Sequence, residues 1–203
     1  MSEKSEGFIM GKATGPVYQV AFRRRRKNLT NYAKRLALIK STSPRMVVRK
    51  SSTGMLIQFF ELAQKGDKIM TSVHSNLLKQ YGWAPRCNAP TAYLCGLLAG
   101  KTAGKNGVKE FNLDIGMQTP SKGSVVFAAL RGAIDAGLKT NYTEEMITDD
   151  RINGTVIETY AKALKTKDVA KYDKLFSAYK KENFNPEKIT ETFKTVKEKI
   201  IAK

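Results

Sequence analysis

Residues 44–73 read PRMVVRKSSTGMLIQFFELAQKGDKIMTSV, and their pattern decides the fold. Met46-Val47-Val48, Met55-Leu56-Ile57-Gln58-Phe59-Phe60 and Ile69-Met70-Thr71-Ser72-Val73 are short apolar runs rich in strand formers. Ser51-Ser52-Thr53-Gly54 and Lys65-Gly66-Asp67 separate them with turn residues. Close strands joined in this way pair as an antiparallel meander.

Downstream, the loop Tyr81–Asn88 leads into a helix starting near Pro90. Gly96, Gly100 and Gly104 recur every four residues beside Ala99 and Ala103. Each glycine weakens the helix by about 1 kcal/mol, so the smooth ridge predicts a helix lying close against the sheet. Phe111 to Ile115 reads as a fourth strand, and Ser124 to Gly137 as a second core helix. Val126, Leu130, Ala133 and Ile134 share a face of that helix, and Gly137 is placed to end it. The expected fold class is therefore α/β, a mixed sheet of about four strands with packed helices.

Upstream, Asn28 or Thr30 is expected to cap a helix whose stripe is Tyr32, Leu36 and Ile39, with Lys34 and Arg35 facing outward. Residues 1–16 are small and polar, with a Gly15-Pro16 breaker, and are expected to be mobile. From Thr155 the pattern is helical, with stripes Ile157, Tyr160, Leu164 and Val169, Tyr172, Phe176, Tyr179. Asn185 and Pro186 open a last helix lined by Ile189, Phe193, Val196 and Ile200. These helices need cover, from the core or from a neighbouring macromolecule. The organisation expected is a basic N-terminal arm with a short helix (1–43), an α/β core (44–140) and a helical C-terminal extension (141–203).

Charge narrows the function. The net charge is +18, from 36 Lys and Arg against 18 acids. Residues 1–50 carry thirteen basic and two acidic side chains, residues 51–150 ten and nine, and residues 151–203 thirteen and seven. A near-neutral middle between basic ends describes a folded core with extensions that meet a polyanion. The run Arg23-Arg24-Arg25-Arg26-Lys27, between Phe22 and Tyr32, combines planar phosphate-binding forks with aromatic faces for unstacked bases. Self-repulsion among so many like charges predicts that residues 1–27 fold on phosphate.

Several other classes are excluded or weakly supported. Cys87 and Cys95 are the only cysteines and His74 the only histidine, so no zinc pattern and no His-based triad can be assembled. No apolar run approaches a membrane span, and a cytosolic protein is expected. Gly96–Thr102 resembles a phosphate loop, but Cys95 stands where its first glycine belongs. Gly104-Lys105-Asn106-Gly107 resembles a nucleotide-clamping loop and reads better as a helix-ending turn. Lys122, before the second core helix, could add charge to a helix N-terminus that attracts phosphate. Asp114 and Asp135 are the only imaginable metal-binding pair, and read better as a structural carboxylate and a helix-surface residue. No catalytic residue, cofactor, metal or small-molecule substrate is expected.

Longer motifs carry a family resemblance. They are Phe22–Lys27 with Thr30-Asn31-Tyr32 and Lys34-Arg35-Leu36, then Pro44–Ser51, Lys65-Gly66-Asp67, His74-Ser75 and Lys79–Trp83. Pro90–Leu94, Leu113–Gly116 and Lys122–Gly137 complete the set. On these motifs the chain resembles the archaeal large-subunit ribosomal protein family L-eighteen, related to the eukaryotic ribosomal protein L-five. The resemblance runs from about Val17 onward. It implies a ribonuclease-H-like core used for RNA binding, and a structural place in the central protuberance holding 5S rRNA against the large-subunit rRNA beside neighbouring ribosomal proteins. Carried over by position, Arg23–Lys27 (Arg23, Arg24, Arg25, Arg26, Lys27), Tyr32, Arg35, Arg45, Arg49, Lys50, Ser51 and Lys122 are the expected RNA contacts. Asn76, Gln118 and Asn153 depart from residues common in the family, and the segment before Val17 is longer than expected. An extraribosomal RNA-binding or RNA-chaperone protein on the same core is the alternative, with a metal-dependent nuclease as the contrasting class.

Overall fold

A computed structural model describes residues 15–202; the expectation of mobility for residues 1–14 falls outside them. Three antiparallel strands, β1 (Arg45–Lys50), β2 (Met55–Ala63) and β3 (Gly66–His74), form the meander, and β4 (Asn112–Asp114) adds to β1 in parallel. The order across the sheet is β3-β2-β1-β4, a mixed four-stranded sheet with helices packed on it, as the pattern requires. Strand alternation sends Met46, Val48, Ile57, Phe59 and Val73 to one buried face. Arg45, Val47, Arg49, Leu56, Gln58 and Phe60, paired across β1 and β2, take the other. Two helices of the arm precede the sheet, the single turn α1 (Arg23–Arg26) and the longer α2 (Tyr32–Lys40).

The buried face is covered by α3 (Ala89–Lys105) and α4 (Val125–Asp135). Asn88 caps α3 by accepting from the Thr91 N–H, and Pro90 sits in its first turn. The would-be phosphate loop thus lies inside a helix. Asn106 and Gly107 (φ +86°) end α3, with the Val108 N–H returning to the Ala103 carbonyl at 3.0 Å, so Gly104–Gly107 is a helix-ending turn.

The glycine ridge needs a correction. A Cβ on Gly96 would sit 2.1 Å from the Ala129 carbonyl oxygen, and one on Gly132 2.2 Å from that of Tyr93. The ridge therefore meets α4, not the sheet, and backbone lies against backbone. A Cβ on Gly104 would meet only Leu138, at 3.9 Å.

The tail forms α5 (Asp149–Asn153), α6 (Thr155–Lys167), α7 (Val169–Leu175), α8 (Ser177–Lys181) and α9 (Ile189–Ala202). Its cover is the core: α5 and α9 lie on α3. Trp83, buried, donates from Nε1 to Thr91 Oγ1 at 2.9 Å and packs edge-on against Phe184 and Phe193. Ile189, Phe193, Val196 and Ile200 are all buried, as their spacing predicts. Asn185 caps the short turn Pro186–Lys188 that leads into α9. Tyr160 and Val169 depart from expectation: both lie half exposed or more, because Ala161 and Leu164 carry the contact of α6 and Tyr172 that of α7. Among the described residues no helix is long and apolar enough to cross a membrane.

The two ends of the glycine ridge respond in opposite directions to the same change. Gly96→Ala forces α3 and α4 apart and lowers stability by about 2 kcal/mol, whereas Gly104→Ala raises it by up to about 1 kcal/mol through helix propensity. Thermal unfolding of both variants checks the pair, and equal effects would contradict the packing.

Candidate nucleic-acid interface

The arginine run makes a single helical turn, α1, entered from Phe22. The Phe22 ring stacks at a tilt on Tyr32, with centroids 5.2 Å apart. Arg24 Nε donates to Thr30 Oγ1 at 2.8 Å, which folds the turn back toward α2. With the Thr30 hydroxyl so used and Asn28 in the left-handed region (φ +51°), the cap of α2 falls to Asn31, which accepts from the Lys34 N–H. That replaces the expected cap at Asn28 or Thr30.

The face of α2 is also rotated from its expected setting. Leu36 is 54% exposed, while Arg35, expected to face outward, turns toward the sheet. Its Nη2 meets Asp67 Oδ2 at 2.8 Å. A largely buried carboxylate without a cation is far more costly than one leucine left in water, so the ion pair sets the rotation. A hydrogen bond from Asn112 Nδ2 to Ser41 Oγ, 2.7 Å, holds the other end of the helix.

Arg45 lies at the centre of this arrangement. It is 4% exposed. Its Nη2 is 2.8 Å from the same Asp67 oxygen and its Nη1 is 3.4 Å from Asp114 Oδ2. One guanidinium thereby ties the start of β1 to the start of β3 and the end of β4. Asp114 Oδ1 accepts from the Gly116 N–H at 2.9 Å, fixing the strand's exit. Asp114 is thus the structural carboxylate that its position suggested. Asp135 is held elsewhere, by Tyr93 Oη at 2.6 Å and by Arg131. Burial, and then the bond to Asp135, push the Tyr93 phenol far above its usual range. Among the described residues no three carboxylates, histidines or cysteines come together to hold a metal.

Above Arg45, between α1–α2 and the outer sheet face, opens a cleft of about 640 Å³. Its lining cations are Arg24, Lys34, Arg35, Arg45 and Arg49, and its acids Asp67 and Asp114, a net of +3. Both acids are already engaged by guanidinium groups, so an incoming anion meets Arg24, Lys34 and Arg49.

The expected RNA contacts therefore fall into groups. Arg24, Arg35, Arg45 and Arg49 line the cleft; Arg23, Arg25, Arg26 and Lys27 stand exposed on the same arm; Tyr32 supports Phe22. Lys50, next to Arg49 in sequence, projects to the opposite face of β1, beside Cys87, whose thiol burial pushes up and Lys50 draws partly back. Ser51 is occupied in its turn, with Oγ donating to the Gly54 carbonyl at 3.0 Å. Lys122 lies outside the cleft in an exposed pair with Glu145, 3.6 Å, the kind of pair that contributes little. Thr30, Lys34, Asp67, Asp114 and Gln118 complete the cleft and were not anticipated as site residues, although Lys65-Gly66-Asp67 and Leu113–Gly116 were visible as motifs. Of the three departures, Gln118 belongs to the cleft and donates to the Val48 carbonyl at 3.1 Å, Asn76 donates its N–H to His74 Nδ1 at 3.1 Å, and Asn153 ends α5.

Arg45→Met leaves Asp114 without its cation and Asp67 with Arg35 alone, and should lower stability by about 3 kcal/mol. A thermal midpoint equal to that of the unmodified protein would refute the bridging role.

Residues 17–112 match the family model for ribosomal large subunit proteins 60S L5, and 50S L18. The match spans the arm, α2, the antiparallel meander, α3 and the entry to β4, and so contains most of the cleft. Members of that family are built into the large subunit as rRNA-binding proteins of a ribonucleoprotein. Over that stretch, just under half of its length, the chain is similar to the ribosomal large subunit proteins 60S L5 and 50S L18.

Proposed function

We propose that this large-subunit protein, of archaeal type, binds 5S rRNA and anchors it to the large rRNA in the central protuberance. The observation that carries the reading is the coincidence of the cationic cleft and arm with the residues matched to the family. Arg23–Lys27 act on phosphates, Tyr32 positions the arm through Phe22, and Arg49 contacts RNA from the sheet. Arg35 and Arg45 belong to the same surface chiefly by holding its shape, while Lys50, Ser51 and Lys122 meet RNA outside the cleft. The proposed working division is an arm over 1–43, a core over 44–140 and a helical extension over 141–203 that faces neighbouring ribosomal proteins. Chemistry on a substrate has no place in this reading.

Arginine-rich contact predicts steep salt dependence. With about six phosphates neutralised, affinity falls by about 10³-fold between low and moderate salt. Two measurements test the reading. RNA recovered with the protein from cell extract should be 5S rRNA in equal amount, and a broad mixture would sink the assignment. Deleting residues 1–27 should weaken 5S binding by at least a hundredfold and flatten the salt slope, while the circular-dichroism spectrum of the rest is kept.

A further inference from the structure

The cleft is built for something narrower than a duplex. At about 640 Å³ it has the capacity of a small-molecule pocket, and a paired A-form helix cannot enter it. A surface that reads only phosphates also needs no apolar floor, yet this one has such a floor. Val47 is half buried at its centre, flanked by the Arg45 and Arg49 side chains of the same strand face. Leu38 adds to it from α2, and Phe60, paired with Arg45 on the same outer face, from β2. At the mouth Met117 is 53% and Leu29 55% exposed. Val47 and Phe60 point away from the core, whose side of β1 and β2 is filled by Met46, Val48 and Phe59.

We propose that the cleft takes one unpaired nucleotide extruded from the bound rRNA. Its base rests on the apolar floor and its phosphate lies at Arg24, Lys34 and Arg49. The proposal rests on the rRNA-binding reading, though not on which rRNA is bound. Sequence-specific recognition of RNA uses such splayed bases, buried against apolar or aromatic surface and hydrogen-bonded at their edges. The polar edge here is Gln118: one of its two amide N–H groups donates to the Val48 carbonyl, which fixes the amide and leaves its side-chain oxygen to accept from a base amine. The fixed charges favour the same guest. Because Arg35 and Arg45 neutralise Asp67 and Asp114, the net +3 of the walls acts on a phosphate without an opposing carboxylate.

Arm and cleft then contribute separable terms. The arm's share falls with salt, whereas the base's share does not. The test uses the full chain with deproteinised total ribosomal RNA, ultraviolet cross-linking and mass spectrometry of the peptides. Nucleotide adducts are expected within residues 45–49 and 113–118 as well as on the arm. Val47→Trp, which fills the floor, should erase those cleft adducts and weaken binding about tenfold with the salt slope unchanged. Should that variant fail to fold, Met117→Ala, at an exposed site, decides the matter: severalfold weaker binding at an unchanged slope supports the proposal. Adducts confined to the arm, or wild-type affinity in the folded floor variant, would overturn it and leave rRNA binding standing. Absence of any RNA binding by the unmodified chain would overturn both.

Discussion

Where α3 crosses α4, no side chain separates the two backbones. Gly96 opens space for the Ala129 carbonyl and Gly132 for that of Tyr93, so each helix supplies the gap that the other fills. Such an approach gains dispersion contact along both helices and tolerates no added methyl group. The rest of the molecule is arranged around the outcome. Held this close to α4, α3 presents its remaining sides to β2 and β3, to α5 and to α9, and becomes the element on which sheet and tail both rest.

The opposite face of the sheet follows another logic. No core helix covers it; α2 is tied down by the Arg35–Asp67 ion pair and by the Asn112–Ser41 hydrogen bond. Few apolar contacts and two polar ties leave a hollow, and the hollow is cationic because β1 alternates. Its inward residues, Met46 and Val48, build the core, and its outward residues, Arg45, Val47 and Arg49, build the cleft. One strand thus serves stability with one face and binding with the other. Arg45 belongs to both tasks, holding three strands together while it cancels the acids that would repel RNA.

Elements governed by local periodicity were readable from the chain. The meander, the fourth strand, the extents of α3 and α4 and the buried stripe of α9 all follow from spacing of two or of three to four residues. The basic arm was likewise visible as a run of adjacent charges. The glycine ridge announced a close neighbour but not which one, because a smooth face says only that something approaches. Long-range electrostatics stayed hidden. Arg45, Asp67 and Asp114 come from three strands, and nothing near Arg35 in sequence shows that it will turn toward Asp67 and leave Leu36 in water. The cleft is a product of those pairings, so its basic arm could be read in advance and its walls could not.

The placement of α9 on α3 bears on how the chain is made. Trp83 and Tyr93, which Phe193 of α9 covers, leave the synthesising ribosome about a hundred residues earlier than their partner. Through that interval the sheet and α3 can assemble, yet an aromatic face of the nascent protein stays open to water and to other chains. A protein destined for a crowded ribonucleoprotein is therefore most adhesive before its last helix arrives, and α9 acts as the closing act of a vectorial folding order.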